Sequence, residues 1–118
     1  MRDRRREDGD SVRALRLQEL IREEVNLLLR NEVRDPRLDG VAITMVELAG
    51  DCARLWFTVA GNEDDNDQKR ARSEALARVA GFLRVQLAET LGLKRTPELR
   101  FRRDPMSRRE LHNVIHND

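Results

Sequence analysis

Residues 41–59 read VAITMVELAGDCARLWFTV. Val41, Ile43 and Met45 take one face of an extended chain, and Ala42, Thr44, Val46 and Leu48 take the other. Both faces are largely apolar, which predicts a strand covered on both sides. Gly50 and Asp51 break the run. Leu55, Phe57 and Val59 then alternate with Arg54, Trp56 and Thr58, a strand with one face turned inward. Two such runs across a short polar turn predict an antiparallel hairpin, and the rest of the chain has to pack on it.

Upstream of the hairpin, Leu17, Leu20, Ile21, Val25 and Leu28 recur at helical spacing, with Arg16, Glu19, Arg22, Glu23, Asn26 and Arg30 between them. This predicts an amphipathic helix over about residues 12–31, after N-cap types at Asp10 and Ser11. Pro36 ends it, because the residue before a proline is pushed out of the helical region. Residues 1–11 show no apolar periodicity and read as a disordered arm. Downstream, 61–67 is a polar, acidic loop. A second helical pattern over about 68–91 carries Ala75, Leu76, Val79, Ala80, Leu83, Leu87 and Leu91, with Gly81 in its middle. A glycine there costs about 1 kcal/mol relative to alanine, so a kink or a junction between two helices is expected. Gly92 suits a helix C-terminus. Pro97 opens a last strand in which Leu99 and Phe101 alternate with Arg100 and Arg102. The predicted order is αββααβ, an α+β domain over 12–104. Residues 105–118 form an extension in which Ser107, Glu110, Leu111, Val114 and Ile115 allow a short helix.

A chain of 118 residues has room for one domain. Hydrophobic residues make up 39%, which is too apolar for a disordered chain, and three Phe, one Trp and no Tyr leave an aliphatic core and few rings for stacking bases. The net charge of +1 conceals polarity along the chain. Glu63, Asp64, Asp65 and Asp67 crowd one loop. Lys94, Arg95, Arg100, Arg102, Arg103, Arg108 and Arg109 face only Glu98 and Asp104 between 94 and 109. Such a chain attracts a polyanion at one place and avoids it elsewhere, and arginine suits bidentate phosphate contacts.

The signals of catalysis are missing. The six glycines are scattered and form no phosphate loop. Cys52 stands alone, with neither a disulfide partner nor metal-ligand spacing. His112 and His116 are the only histidines, too near one end to build a triad. The acidic loop lacks the spacing and closing glutamate of a calcium site. No enzyme activity, cofactor, metal or small-molecule substrate is expected. With no apolar run near the length of a membrane span and no signal peptide, a cytoplasmic location is expected.

The segments Val33-Arg34-Asp35-Pro36-Arg37-Leu38, Val46-Glu47-Leu48, Ala80-Gly81-Phe82-Leu83-Arg84 and Pro97-Glu98-Leu99-Arg100-Phe101 resemble the ribosome-binding factor A family, in its order and spacing, over about residues 12–104. The resemblance implies a type-II KH-like fold, with helices on one face of a three-stranded sheet. It implies a monomer that binds the free 30S subunit and assists late maturation of 16S rRNA near its 5′-terminal region, especially in cold growth. KH domains in general grip RNA through a glycine-rich loop between two helices. The family has an Ala-x-Gly kink instead, and here it reads Val79-Ala80-Gly81, with valine in place of the first small residue. The candidate phosphate contacts are Arg34 and Arg37 on the proline loop, Arg78 and Arg84 beside the kink, Lys94 and Arg95 after the second helix, and Arg100, Arg102 and Arg103 on the last strand. Two other readings stay open: a general binder of single-stranded message, against which the shortage of rings counts, and a module that docks a protein partner.

Overall fold

The computed structural model describes residues 2–61 and 65–105, with residues 2–10 described by secondary structure alone. Helix α1 (Arg2–Asn31) is followed by a 3-10 turn (Pro36–Leu38), strands β1 (Val41–Ala49) and β2 (Cys52–Val59), helix α2 (Asn66–Leu91) and strand β3 (Glu98–Arg103). The expected extension helix and its Ser107, Glu110, Leu111, Val114 and Ile115 lie outside the described residues.

The sheet has the order β1-β2-β3. β1 and β2 form the expected antiparallel hairpin, with Val41 opposite Val59 and Ala49 opposite Cys52. β3 runs parallel to β2, with Leu99 beside Ala53 and Phe101 beside Leu55. Parallel neighbours need a crossover, and α2 is that crossover. One face of the sheet meets the helices. Ile21, Val25, Leu28 and Leu29 of α1 pack with Ile43, Val46, Leu55, Phe57 and Leu99 of the sheet and with Ala75, Leu76, Leu83 and Leu87 of α2. The core is aliphatic around a single buried ring, Phe57; Phe101 packs at its margin.

β1 departs from the alternation read in the sequence. A bulge falls at Thr44, between the pairs Ile43–Phe57 and Met45–Trp56. The extra residue reverses the faces beyond it. Val41, Ile43 and Val46 are buried, whereas Ala42, Thr44, Met45 and Glu47 are exposed. The strand is therefore covered on one side, not two, and the sheet keeps an open face.

The helices also differ from expectation. α1 starts at Arg2, so residues 2–11, expected as a disordered arm, are helical; arginine and glutamate have good helix propensity, which favours continuing the helix through this charged stretch. Leu20, placed with the apolar face in the sequence, is 41% exposed. The expected helix pair is one helix: α2 runs unbroken through Val79, Ala80 and Gly81. A lone glycine lowers helix stability without removing a backbone donor, and the buried Leu76, Leu83 and Leu87 hold both halves to the same core. A Cβ on Gly81 would meet nothing within 4 Å, so no close contact inside the protein requires glycine there.

The ends of α2 explain its limits. The Asp65 carboxylate accepts from the Gln68 N–H at 2.8 Å, and the Gln68 side chain accepts from the Asp65 N–H at 2.9 Å. This capping box starts the helix slightly earlier than the acidic composition suggested. Gly92 closes it with φ 65°, a left-handed position that favours glycine.

Candidate nucleic-acid interface

The nine predicted basic residues fall into three groups. The first surrounds the proline turn. Asp35 is extended, as the following proline demands, and its carboxylate accepts from the Arg37 N–H at 3.0 Å. The Arg37 guanidinium returns to the same carboxylate at 3.0 and 2.7 Å. These bonds hold the Asp35 carboxyl below its usual range and push the Arg37 guanidinium up, with Arg78 of α2 adding a smaller attraction at Asp35. Leu38 is buried and anchors the turn to the core. Arg34 and Arg78 are exposed, while Arg37 is half-buried and committed to Asp35.

The second group lines a cleft between the start of the core part of α1, the β1–β2 turn, the second half of α2 and the loop after it. Its walls are Leu17, Leu48, Gly50, Asp51, Arg84 and residues 93–98. Arg84, Lys94 and Arg95 come together there, with Asp51 and Glu98 as the acids of the same cleft. Arg84 donates to the Thr96 carbonyl at 3.1 Å, so the helix side chain clasps the loop that carries Lys94 and Arg95. The Glu98 N–H donates to the Asp51 carbonyl at 2.9 Å and ties that loop to the hairpin turn. A cleft with three cations mounted on a helix and a short braced loop can hold phosphates at a fixed orientation.

The third group belongs to β3, and alternation divides it. Arg100 and Arg102 lie on the open face of the sheet. Arg103 turns the other way, its guanidinium 5.8 Å from the centre of the Phe57 ring. Arg100 is therefore outside the cleft, although its nitrogen is 3.5 Å from the Glu98 carboxylate at the cleft's edge. Arg84, Lys94 and Arg95 thus share the cleft, while Arg100 lies at its edge on the open face of the sheet. Residues adjacent along the chain form one basic run in the sequence, and strand alternation sends them to opposite faces.

The acidic loop contributes Asp65 as a helix cap, while Glu63 and Asp64 lie outside the described residues. His112 and His116 also lie outside them. No group of acids, Cys and His able to hold a metal occurs among the described residues. No helix there is long and apolar enough to cross a membrane. Cys52 is a half-buried free thiol on the open sheet face.

The family model described as ribosome-binding factor A matches residues 13–113. A ribosome-binding factor A of Azotobacter vinelandii is 37% identical over 102 residues, covering 85% of this chain and 79% of its own. One from Heliobacterium modesticaldum is 42% identical over 94 residues, covering 78% and 75%. Among solved structures, the crystal structure of ribosome-binding factor A from Thermus thermophilus superimposes with a TM-score of 0.65 at 21% identity, covering 76% of this chain and 93% of that one. A homology model of the Thermus protein fitted into a cryo-electron microscopy map of its complex with the 30S subunit gives a TM-score of 0.60 at 21% identity, covering 75% and 92%. The shared fold is the α+β arrangement described above, consistent with a KH-like domain.

Proposed function

The chain belongs to the ribosome-binding factor A family, and from that premise we propose that it binds the free 30S ribosomal subunit through 16S rRNA and assists a late step of small-subunit assembly. The observation that carries this reading is the convergence of Arg84, Lys94 and Arg95 on one braced cleft. Phosphate contacts of this kind supply affinity and orientation, while the fold of the rRNA supplies the recognition. The related Thermus protein has been fitted into a map of a 30S complex, which favours the same partner here.

The mechanism is binding without chemistry. A rigid domain that grips one rRNA conformation more tightly than another shifts the population towards it, by as much as the two affinities differ. Maturation near the 5′-terminal region of 16S rRNA, and a need that grows in the cold, fit a factor that favours slow RNA rearrangements. Arg34 and Arg78, exposed beside the proline turn, extend the phosphate-binding surface along α2; Arg37 serves it by holding the turn. The protein works as a cytoplasmic monomer of one KH-like domain, with residues 105–118 as a C-terminal extension.

Co-sedimentation with isolated subunits tests the reading. The protein should travel with 30S and not with 50S subunits, and ribonuclease treatment of the 30S particles should abolish the association. Equal association with both subunits, or survival of binding after digestion, would defeat it.

A further inference from the structure

The open face of the sheet has a ring at its centre. Leu55 and Phe57 point into the core, so Trp56 between them projects to the opposite side, where it is partly exposed. Its cross-strand neighbours are Met45 of β1 and Arg102 of β3. Two residues along the same face, Arg54 lies beside Arg100. The backbone of Arg102 is thus one strand spacing from that of Trp56, about 4.8 Å, and that of Arg54 about 6.6 Å along the strand, so that both side chains are within reach of one nucleotide on this face. Met45 is 49% exposed, and the helices lie on the other face.

We propose that this open face receives an unpaired nucleotide of rRNA, with the base stacked on Trp56 and its flanking phosphates held by Arg54, Arg100 and Arg102. The proposal rests on the reading of the protein as a binder of the 30S subunit. Stacking on a ring mounted on a sheet requires a base free of its own helix, because bases inside a duplex present no exposed face. The acids of the face do not bar a phosphate. Glu47 pairs with Arg54 at 3.2 Å and Glu98 with Arg100 at 3.5 Å, all four exposed. Such pairs hold weakly, and an arginine exchanges its carboxylate for a phosphate oxygen at little cost. Asp104 at the margin accepts from the Thr44 hydroxyl at 2.6 Å. The surface is continuous with the cleft, because Glu98 lines the cleft while its carboxylate meets Arg100. A strand of RNA anchored by Arg84, Lys94 and Arg95 therefore has a path onto the sheet.

The protein reports on this contact itself, since it has one tryptophan and no tyrosine. Emission from Trp56 should be quenched by a single-stranded oligouridylate and recover at high salt, while an RNA duplex of equal length leaves it unchanged. Trp56→Ala should weaken association with 30S subunits roughly ten-fold, Trp56→Phe should restore most of it, and Arg54→Ala and Arg102→Ala, at exposed positions that the fold does not need, should each weaken it several-fold. Wild-type affinity for 30S subunits in Arg54→Ala, Arg102→Ala and Trp56→Ala would overturn the stacking site and leave the 30S reading standing. Quenching by the duplex as strong as by the single strand would overturn it too. Failure of the wild-type protein to sediment with 30S subunits would overturn the underlying reading instead.

Discussion

Asn26 of α1 exchanges two hydrogen bonds with the backbone of Ile43: its amide nitrogen donates to the Ile43 carbonyl at 3.0 Å, and its amide oxygen accepts from the Ile43 N–H at 2.7 Å. β1 is an edge strand, and these are groups that a further strand would satisfy. Gln18, two turns earlier on α1, accepts from the Leu48 N–H at 2.9 Å. The first helix thus covers the edge of the sheet with side-chain amides as well as its face with Ile21 and Val25.

Asn26→Leu removes both bonds and leaves the Ile43 groups facing an apolar side chain. The cost should be about 1–3 kcal/mol, read as a lower urea midpoint with an unchanged slope. Asn26→Asp keeps the acceptor and loses the donor, and should fall between the two. A midpoint equal to wild type in Asn26→Leu would mean that water serves the edge equally well.

Phe57→Ala should cost about 3–5 kcal/mol, because the ring is only 6% exposed at the centre of an aliphatic core. Phe101→Ala, at the margin of that core, should cost less. An unchanged urea midpoint for Phe57→Ala would contradict the assignment of the inward face of β2.

Gly81→Ala should stabilise the protein by about 0.4–1 kcal/mol. The residue is helical and exposed, and a Cβ there meets nothing within 4 Å. A lower melting temperature in this variant would mean that the backbone at 81 departs from the continuous helix described.

The Asp35 carboxyl should titrate below the ordinary aspartate value of about 3.9, chiefly because of the hydrogen bonds from the Arg37 side chain. Its folded value is depressed, so its contribution to stability is present above the unfolded value and is lost as pH falls through the folded one. Arg37→Ala should bring the midpoint, followed by carboxyl NMR, back towards the ordinary value. A midpoint already ordinary in the wild-type protein would contradict the bidentate pair.

Much of this fold is legible in the sequence because several local signals agree. Gly50-Asp51 between two alternating runs marks the hairpin, Pro36 ends the first helix, and Gly92 ends the second. The bulge at Thr44 leaves no mark, since the apolar alternation continues through Met45 as though nothing were inserted. Asn26 reads as one more solvated residue between apolar ones, because its partner is a backbone 17 positions away. The site is legible as a set of basic residues and not as a surface. Clustering along the chain unites Arg100 with Lys94 and Arg95, while the fold keeps these two with Arg84 and turns Arg100 onto the sheet. The alternation already puts Trp56 opposite Leu55 and Phe57, with Arg54 and Thr58; what the sequence does not show is that this face stays uncovered, because the apolar run of β1 reads as a strand covered on both sides.

The central claim is that a defined cleft, not diffuse positive charge, binds the small subunit. The direct test measures 30S affinity against salt for three proteins: wild type, Arg84→Ala/Lys94→Ala/Arg95→Ala, and a control with Arg13, Arg16 and Arg30 of α1 changed to Ala. Removing one phosphate-binding side chain should reduce the slope of log affinity against log salt by roughly 0.7–0.9. The slope of the cleft variant should fall by about 2 or more, and this variant should fail to sediment with 30S subunits at moderate salt, while the α1 variant keeps nearly the wild-type line. Equal effects in both variants, or a cleft variant that binds as the wild type does, would contradict the account.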